Sequence, residues 1–263
     1  MTGRAAFSFF LVSFAGKPRH NRRVIGAFLN ALGILAGALF GLARRRPLTA
    51  RTQAFFKSAL GAFTVFYGLR LVYENVHGTF FACGKQLAVA CLAVVWGCGL
   101  GRLLRLQTWS NRVGRHAATL LAAAQKAPPA PPAAGFVAAT VLFCAAPLGF
   151  LGAVADGLQD YCYLLLLKGV MDGLAMMSFV TMFRWPVALA AAPVFFFFNG
   201  LAWMVRHGLQ SWLMAQGLAD SVGIAAGLVT CTVALVILEV RRVELANYLP
   251  ALATAPLLAH WLG

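Results

Sequence analysis

The chain has 263 residues, 61% of them hydrophobic and 11% charged, with a formal net charge of +15. A soluble domain carries about 25% charged residues, so these few charges exclude a water-soluble globule, whose apolar surface they could not cover. The basic residues sit in short clusters between apolar blocks, where cytoplasmic loops carry them, and this distribution argues against nucleic-acid binding as the reason for the charge.

Residues 1–23 hold a short apolar stretch, Ala5 to Gly16, and then Lys17, Arg19, Arg22 and Arg23. The stretch is too short to span and reads as an N-terminal extension, interfacial in character. A first spanning helix is expected at about 24–42, ending at Arg44-Arg45-Arg46-Pro47, a second at about 54–73 and a third at about 80–100. Residues 102–126 are amphipathic: Arg102, Arg105, Arg112 and Arg115 interleave with Leu103, Leu104, Leu106, Trp109 and Val113. Such a segment belongs among anionic lipid headgroups on the cytoplasmic side. APPAPPAA at 127–134 is a linker.

Four further apolar blocks predict helices at about 135–154, 161–183, 186–205 and 221–240. The stretch from Ala246 to Leu262, with Pro250 and Pro256, reads as a broken eighth helix or a re-entrant segment, the eighth helix being favoured. The expected fold is an all-α polytopic membrane helix bundle of seven or eight transmembrane helices. It divides into an extension (1–23), a three-helix unit (24–101), an amphipathic and Pro/Ala segment (102–134), a second three-helix unit (135–207) and C-terminal helices (208–263).

Arginine counting orients the bundle. With the first-to-second, third-to-fourth, fifth-to-sixth and seventh-to-eighth connections in the cytoplasm, that side holds Arg44, Arg45, Arg46, Arg51, Arg102, Arg105, Arg112, Arg115, Lys126, Arg184, Arg241 and Arg242. The opposite side holds the N-terminal cluster and Arg206, so the N-terminus is expected outside. One constant offset aligns Gly41 with Gly152 and Lys57 with Lys168 and brings the two three-helix units into register, as two copies of a repeat or as two generic three-helix blocks. An odd helix number inverts the second copy, and inverted repeats are a feature of transporters.

An ionisable group at bilayer depth is a candidate for function. Lys168 and Asp172 lie four residues apart within the fifth predicted helix, on one face, where they pair as a packing bridge or line a polar pathway. Asp156 and Asp160 stand at the outer end of the fourth helix, either solvated or guarding an entrance. Asn30 and Asn199 are polar groups at depth that bond a neighbouring helix or line the same pathway. Lys57, Arg70 and Lys85 lie near helix ends and can snorkel, and Glu74 is placed to pair with Arg70. Gly33, Gly37 and Gly41 form a smooth face for close helix packing or for a homodimer seam. Cys83, Cys91, Cys98, Cys144, Cys162 and Cys231 form no CxxC pair, and neither a metal site nor a cofactor is expected. No nucleophile constellation, nucleotide-binding loop or metalloprotease motif is present, so the chain is not expected to be an enzyme.

The stretches GAFLNALGILAGALFG (26–41), VLFCAAPLGFLGAVADG (141–157), LLLLKGVMDG (164–173) and ANYLPAL (246–252), in this order, resemble the bacterial family filed as domain of unknown function 554. Its pattern has Gly, Met and Gln where this chain has Ala146, Leu148 and Ala155. The family's members are often labelled transport proteins, so the resemblance implies a membrane protein with a transport role. The leading expectation is a small-solute or ion transporter of the inner membrane. A channel and a non-transporting scaffold are the alternatives.

Overall fold

The computed structural model describes residues 25–44, 49–126 and 132–262. The expected N-terminal extension, Arg45 to Pro47 and the first five residues of the linker lie outside them. The described residues form α1 (Gly26–Ala43), α2 (Ala50–Asn75), α3 (Phe80–Leu103), α4 (Leu106–Lys126), α5 (Pro132–Cys144), α6 (Pro147–Gln159), α7 (Tyr163–Phe183), α8 (Ala191–Met204), α9 (Ser211–Ala215), α10 (Ala219–Ile237) and α11 (Ala251–Leu262). Thr49 and Thr79 supply the side-chain caps that start α2 and α3, accepting from the amides of Thr52 and Ala82. Those hydroxyls satisfy donors that the first helical turn leaves open.

Among the described residues, six helical spans are long and apolar enough to cross a bilayer: α1, α2, α3, α7, the rod Trp185–Ala215 that contains α8 and α9, and α10. Their outward faces carry exposed Phe28, Leu39, Phe66, Trp96 and Phe196, the surface that hydrocarbon covers. The fourth predicted helix is not continuous. It is α5 and α6, bent by 58° at Ala145–Ala146, and it makes a seventh span if the pair is taken as one. Pro147 causes the break: it brings no N–H to the ladder and forces extended backbone on the residue before it, and Ala146 has φ −67° and ψ 123°. The sixth predicted helix runs further than 205, through a π-helical segment Val205–Gln210 into α9. The final apolar stretch is a 3-10 turn, Leu245–Tyr248, followed by the 12-residue α11. A helix of that length is about 18 Å long, short of a hydrocarbon core of about 30 Å.

Glycines set the helix pairs. Gly33 and Gly37 of α1 meet Gly169 and Gly173 of α7 in the same order, and Gly41 meets Met177 and Val180, so α1 and α7 run parallel. A Cβ added at Gly33 would stand 2.8 Å from the Gly169 Cα, and one at Gly37 2.5 Å from the Gly173 Cα. The GxxxGxxxG face therefore packs inside the protein, which decides at this face between internal packing and a dimer seam. α2 and α10 run antiparallel, with Gly68 against Gly227 and Asn75 against Gly223. α3 and α11 do the same, with Gly97 against Ala251 and Gly101 against Asn247, while Gly99 faces open space.

α7 is the central helix. One side joins a core with α1, α5 and α8 through Leu165, Met176, Phe179 and Phe183. The other joins α2, α6 and α10 through Leu164 and Leu167. The parallel α1–α7 pair and the two antiparallel pairs together gather Arg44, Arg51, Arg102, Arg105, Arg184, Arg241 and Arg242 at one end. Asp156, Asp160, Glu74 and Asp220 gather at the other.

Candidate functional site

Lys168 is among the largest fully buried side chains of the described residues, 1% exposed. A lysine ammonium has three donors and no acceptor, so burial at this depth demands a partner. That partner is Asp172, one helical turn on and 7% exposed, whose Oδ2 accepts from the Lys168 Nζ. The i, i+4 spacing on α7 places both groups on one face, as the sequence predicts. Asn30 comes across from α1 and donates its Nδ2 to the same Asp172 oxygen at 3.1 Å. Asn30 is fully buried, and its Oδ1 accepts no hydrogen bond.

The remaining walls are apolar and come from three more elements. Phe198 of α8 lies with its ring centroid 5.0 Å from the ammonium, and Phe143 of α5 at 5.8 Å. The negative ring faces stabilise the cation in place of water. Gly149, in the first turn of α6, leaves room for the lysine stem: a Cβ there would stand 2.8 Å from the Lys168 Cε. Thus the α5–α6 break adjoins the buried pair. A helix that stops there leaves its last carbonyls without intrahelical donors, and irregular backbone at membrane depth survives only inside protein or along a cavity. Thr140 of α5 has a second buried polar atom, Oγ1, without a hydrogen bond.

The sequence's other candidates fall elsewhere. Asn199 is half-buried on α8, and its neighbour Phe198 is the residue turned toward Lys168. Asp156 is not a solvated charge at a helix end: it is 1% exposed, and its Oδ2 accepts from the Gly26 amide, 2.9 Å away, at the start of α1. An acceptor there satisfies one of the open donors of α1 and faces the positive end of its dipole. Asp160 takes a left-handed conformation, φ 56°, to end α6, and pairs with Arg206, whose guanidinium also donates to the Asp156 carbonyl oxygen at 3.3 Å. Arg70 pairs with Glu74 at 2.8 Å, as expected, whereas Lys57 pairs with Glu239 across helices.

Sequence reasoning did not single out the polar layer beside Asp156. Asn75 of α2 and Gln159 of α6 exchange amide hydrogen bonds, and Gln159 also donates to the Ala219 carbonyl oxygen at 3.2 Å. Tyr161 donates to the Tyr67 carbonyl oxygen at 2.7 Å, and burial pushes its phenol above the usual tyrosine range. Among the described residues no three His, Cys, Asp or Glu side chains converge on one point. A separate cavity of about 420 Å³ opens between α2 and α7 at the arginine-rich end, lined by Arg44, Lys57, Leu60, Met171 and Ser178 among others. Neither Lys168 nor Asp172 lines it.

The chain is 27% identical over 240 residues to the uncharacterized protein YqgA of Escherichia coli (strain K12), a match covering 90% of this chain and 97% of that relative. It is 26% identical over 235 residues to the uncharacterized membrane protein YdfK of Bacillus subtilis (strain 168), covering 89% of this chain and 94% of that one. No solved structure matches. The family model described as "Protein of unknown function (DUF554)" matches residues 25–260, and with the helical membrane-spanning architecture just described the chain belongs to the DUF554 family.

Proposed function

We propose that this protein is a small-solute or ion carrier of the cytoplasmic membrane, without enzymatic activity, its polar centre formed by Lys168, Asp172 and Asn30. The observation that carries this reading is the break between α5 and α6 beside the buried ion pair. Discontinuous helices with polar groups at mid-membrane are how carriers build binding sites from a bundle. A buried ion pair has no general advantage in stability over apolar packing, and intramembrane charges by default mark a pathway. The arginine-rich end, with α4 lying among anionic headgroups, faces the cytoplasm in this reading. The inverted three-helix repeat belongs to it as well, and that symmetry requires α1 and α7 to run in the same direction.

A membrane scaffold is the second reading, favoured by the seal around the pair: 1% and 7% exposure leave it no open route in this conformation. One double variant separates the two. Lys168→Met/Asp172→Leu strands no charge, so the protein accumulates in either case. A carrier becomes a stable but inactive protein, and metabolite and metal profiles of a deletion strain expressing it match those of the empty deletion. A scaffold variant restores the parental profile.

A further inference from the structure

We propose that the Asp172–Asn30–Phe143–Phe198 box is a binding site for a small monovalent cation, which Lys168 occupies with its own ammonium when the site is closed, and that cation entry expels one proton. The inference rests on the carrier reading above and gives it a substrate class.

One carboxylate, one amide and two aromatic faces surround the Lys168 ammonium. That set suits a monovalent cation stripped of water, whether alkali metal or alkylammonium. The Asn30 Oδ1 is buried and bonded to nothing, an acceptor more than the tethered ammonium uses. Among the described residues Lys168 makes one side-chain hydrogen bond, to Asp172, so there its charge is held by a single carboxylate and two rings.

Charge balance then sets the valence and the coupling. The closed box holds one ammonium and one carboxylate and is neutral. If a monovalent cation takes the carboxylate, the lysine ammonium is left buried without its counter-charge, a state that burial strongly disfavours. It gives its proton to water: Lys–NH3+ becomes Lys–NH2, the incoming cation neutralises Asp172, and the box is neutral again. A divalent cation would leave a net buried positive charge. Apart from the Cys144 thiol, the other groups facing the pair carry no titratable proton. α1 presents Asn30, α6 Gly149 and α8 Phe198, and α5 ends in the Cys144 thiol within electrostatic reach of both charges. The exchange is one cation for one proton, with no net charge moved.

The test uses the full chain, purified in detergent and reconstituted into liposomes carrying an internal pH dye. Pulses of sodium, potassium or methylammonium chloride are compared with choline chloride, and thermal stability is followed against each salt at constant ionic strength. At least one of the three cations should move protons the opposite way, at a rate unchanged when the membrane potential is clamped. Its apparent Kd should rise tenfold for each pH unit lowered, because one proton competes with one cation. Asp172→Asn should abolish both responses, and Lys168→Met should keep the cation-dependent stabilisation while losing its pH dependence. If wild-type protein shows neither proton movement nor cation-dependent stabilisation with any of the three, the inference is overturned. In that event the carrier reading is still decided separately, by whether Lys168→Met/Asp172→Leu restores the deletion strain.

Discussion

The backbone of Gly37 rests directly on that of Gly173, at the middle of the parallel α1–α7 contact. Gly37→Ala would put a methyl carbon 2.5 Å from the Gly173 Cα, with no flexible side chain to move aside. The two helices must separate, and overpacking of this kind costs typically 1–3 kcal/mol. Gly99→Ala is the matched control, since its added Cβ meets nothing within 4 Å. Thermal denaturation in detergent should show a clear loss for the first and little change for the second; equal melting temperatures would mean that α1 and α7 do not touch there.

Removing either charge of the buried pair alone should be far worse than removing both. Lys168→Met leaves a carboxylate at 7% exposure, and Asp172→Leu leaves an ammonium at 1%. Each single change should cost roughly 3–5 kcal/mol, and the double change much less. Yields of monodisperse protein and chemical denaturation of all three variants measure the coupling. Two singles that fold like the parent would show that the groups are not paired.

Asp156 is expected to matter as an acceptor more than as a charge. Asp156→Ala leaves the Gly26 amide buried and unbonded, which costs about 1–3 kcal/mol. Asp156→Asn keeps an oxygen facing that amide and should retain most of the stability. Hydrogen exchange should accelerate in the first turn of α1 for the alanine variant and much less for the asparagine variant. The same acceleration in both would assign the effect to charge.

Sidedness follows from α4. Arg112 is exposed on that helix, and Arg112→Cys on a cysteine-free background should resist an impermeant thiol reagent added to intact cells. It should react once the cells are opened. Labelling from outside would reverse the orientation of the whole bundle.

Much of this architecture is legible in the chain because lipid imposes simple rules. Span length, glycine spacing and the i, i+4 placement of Lys168 and Asp172 are all local properties, and the structure follows them. Pro147 was legible too, but an apolar run read by hydropathy hides it, and the block at 135–154 looks continuous until the backbone cost of Pro147 is weighed. What joins distant segments left no local trace. Asn30 shows as a polar residue in an apolar helix, yet its bond to Asp172 spans 142 positions. Arg206 reads as a loop charge, although it closes on Asp160 at the end of α6. Asn75 and Gln159 carry no charge and sit near predicted boundaries, so nothing marks them before their helices are placed side by side.

The parallel α1–α7 seam also sets the order in which the protein can be made. With 142 positions between Asn30 and Asp172, a ribosome adding about 5–20 residues per second takes roughly 7–28 s to go from one to the other. During that interval α1 has left the ribosome with its glycine groove unfilled and an amide turned toward lipid or toward the insertion machinery. Its final partner enters only after the amphipathic α4 and the broken α5–α6 pair. α1 thus reaches its native seat only once synthesis has passed residue 173, and α2 and α3 wait longer still, for α10 and α11.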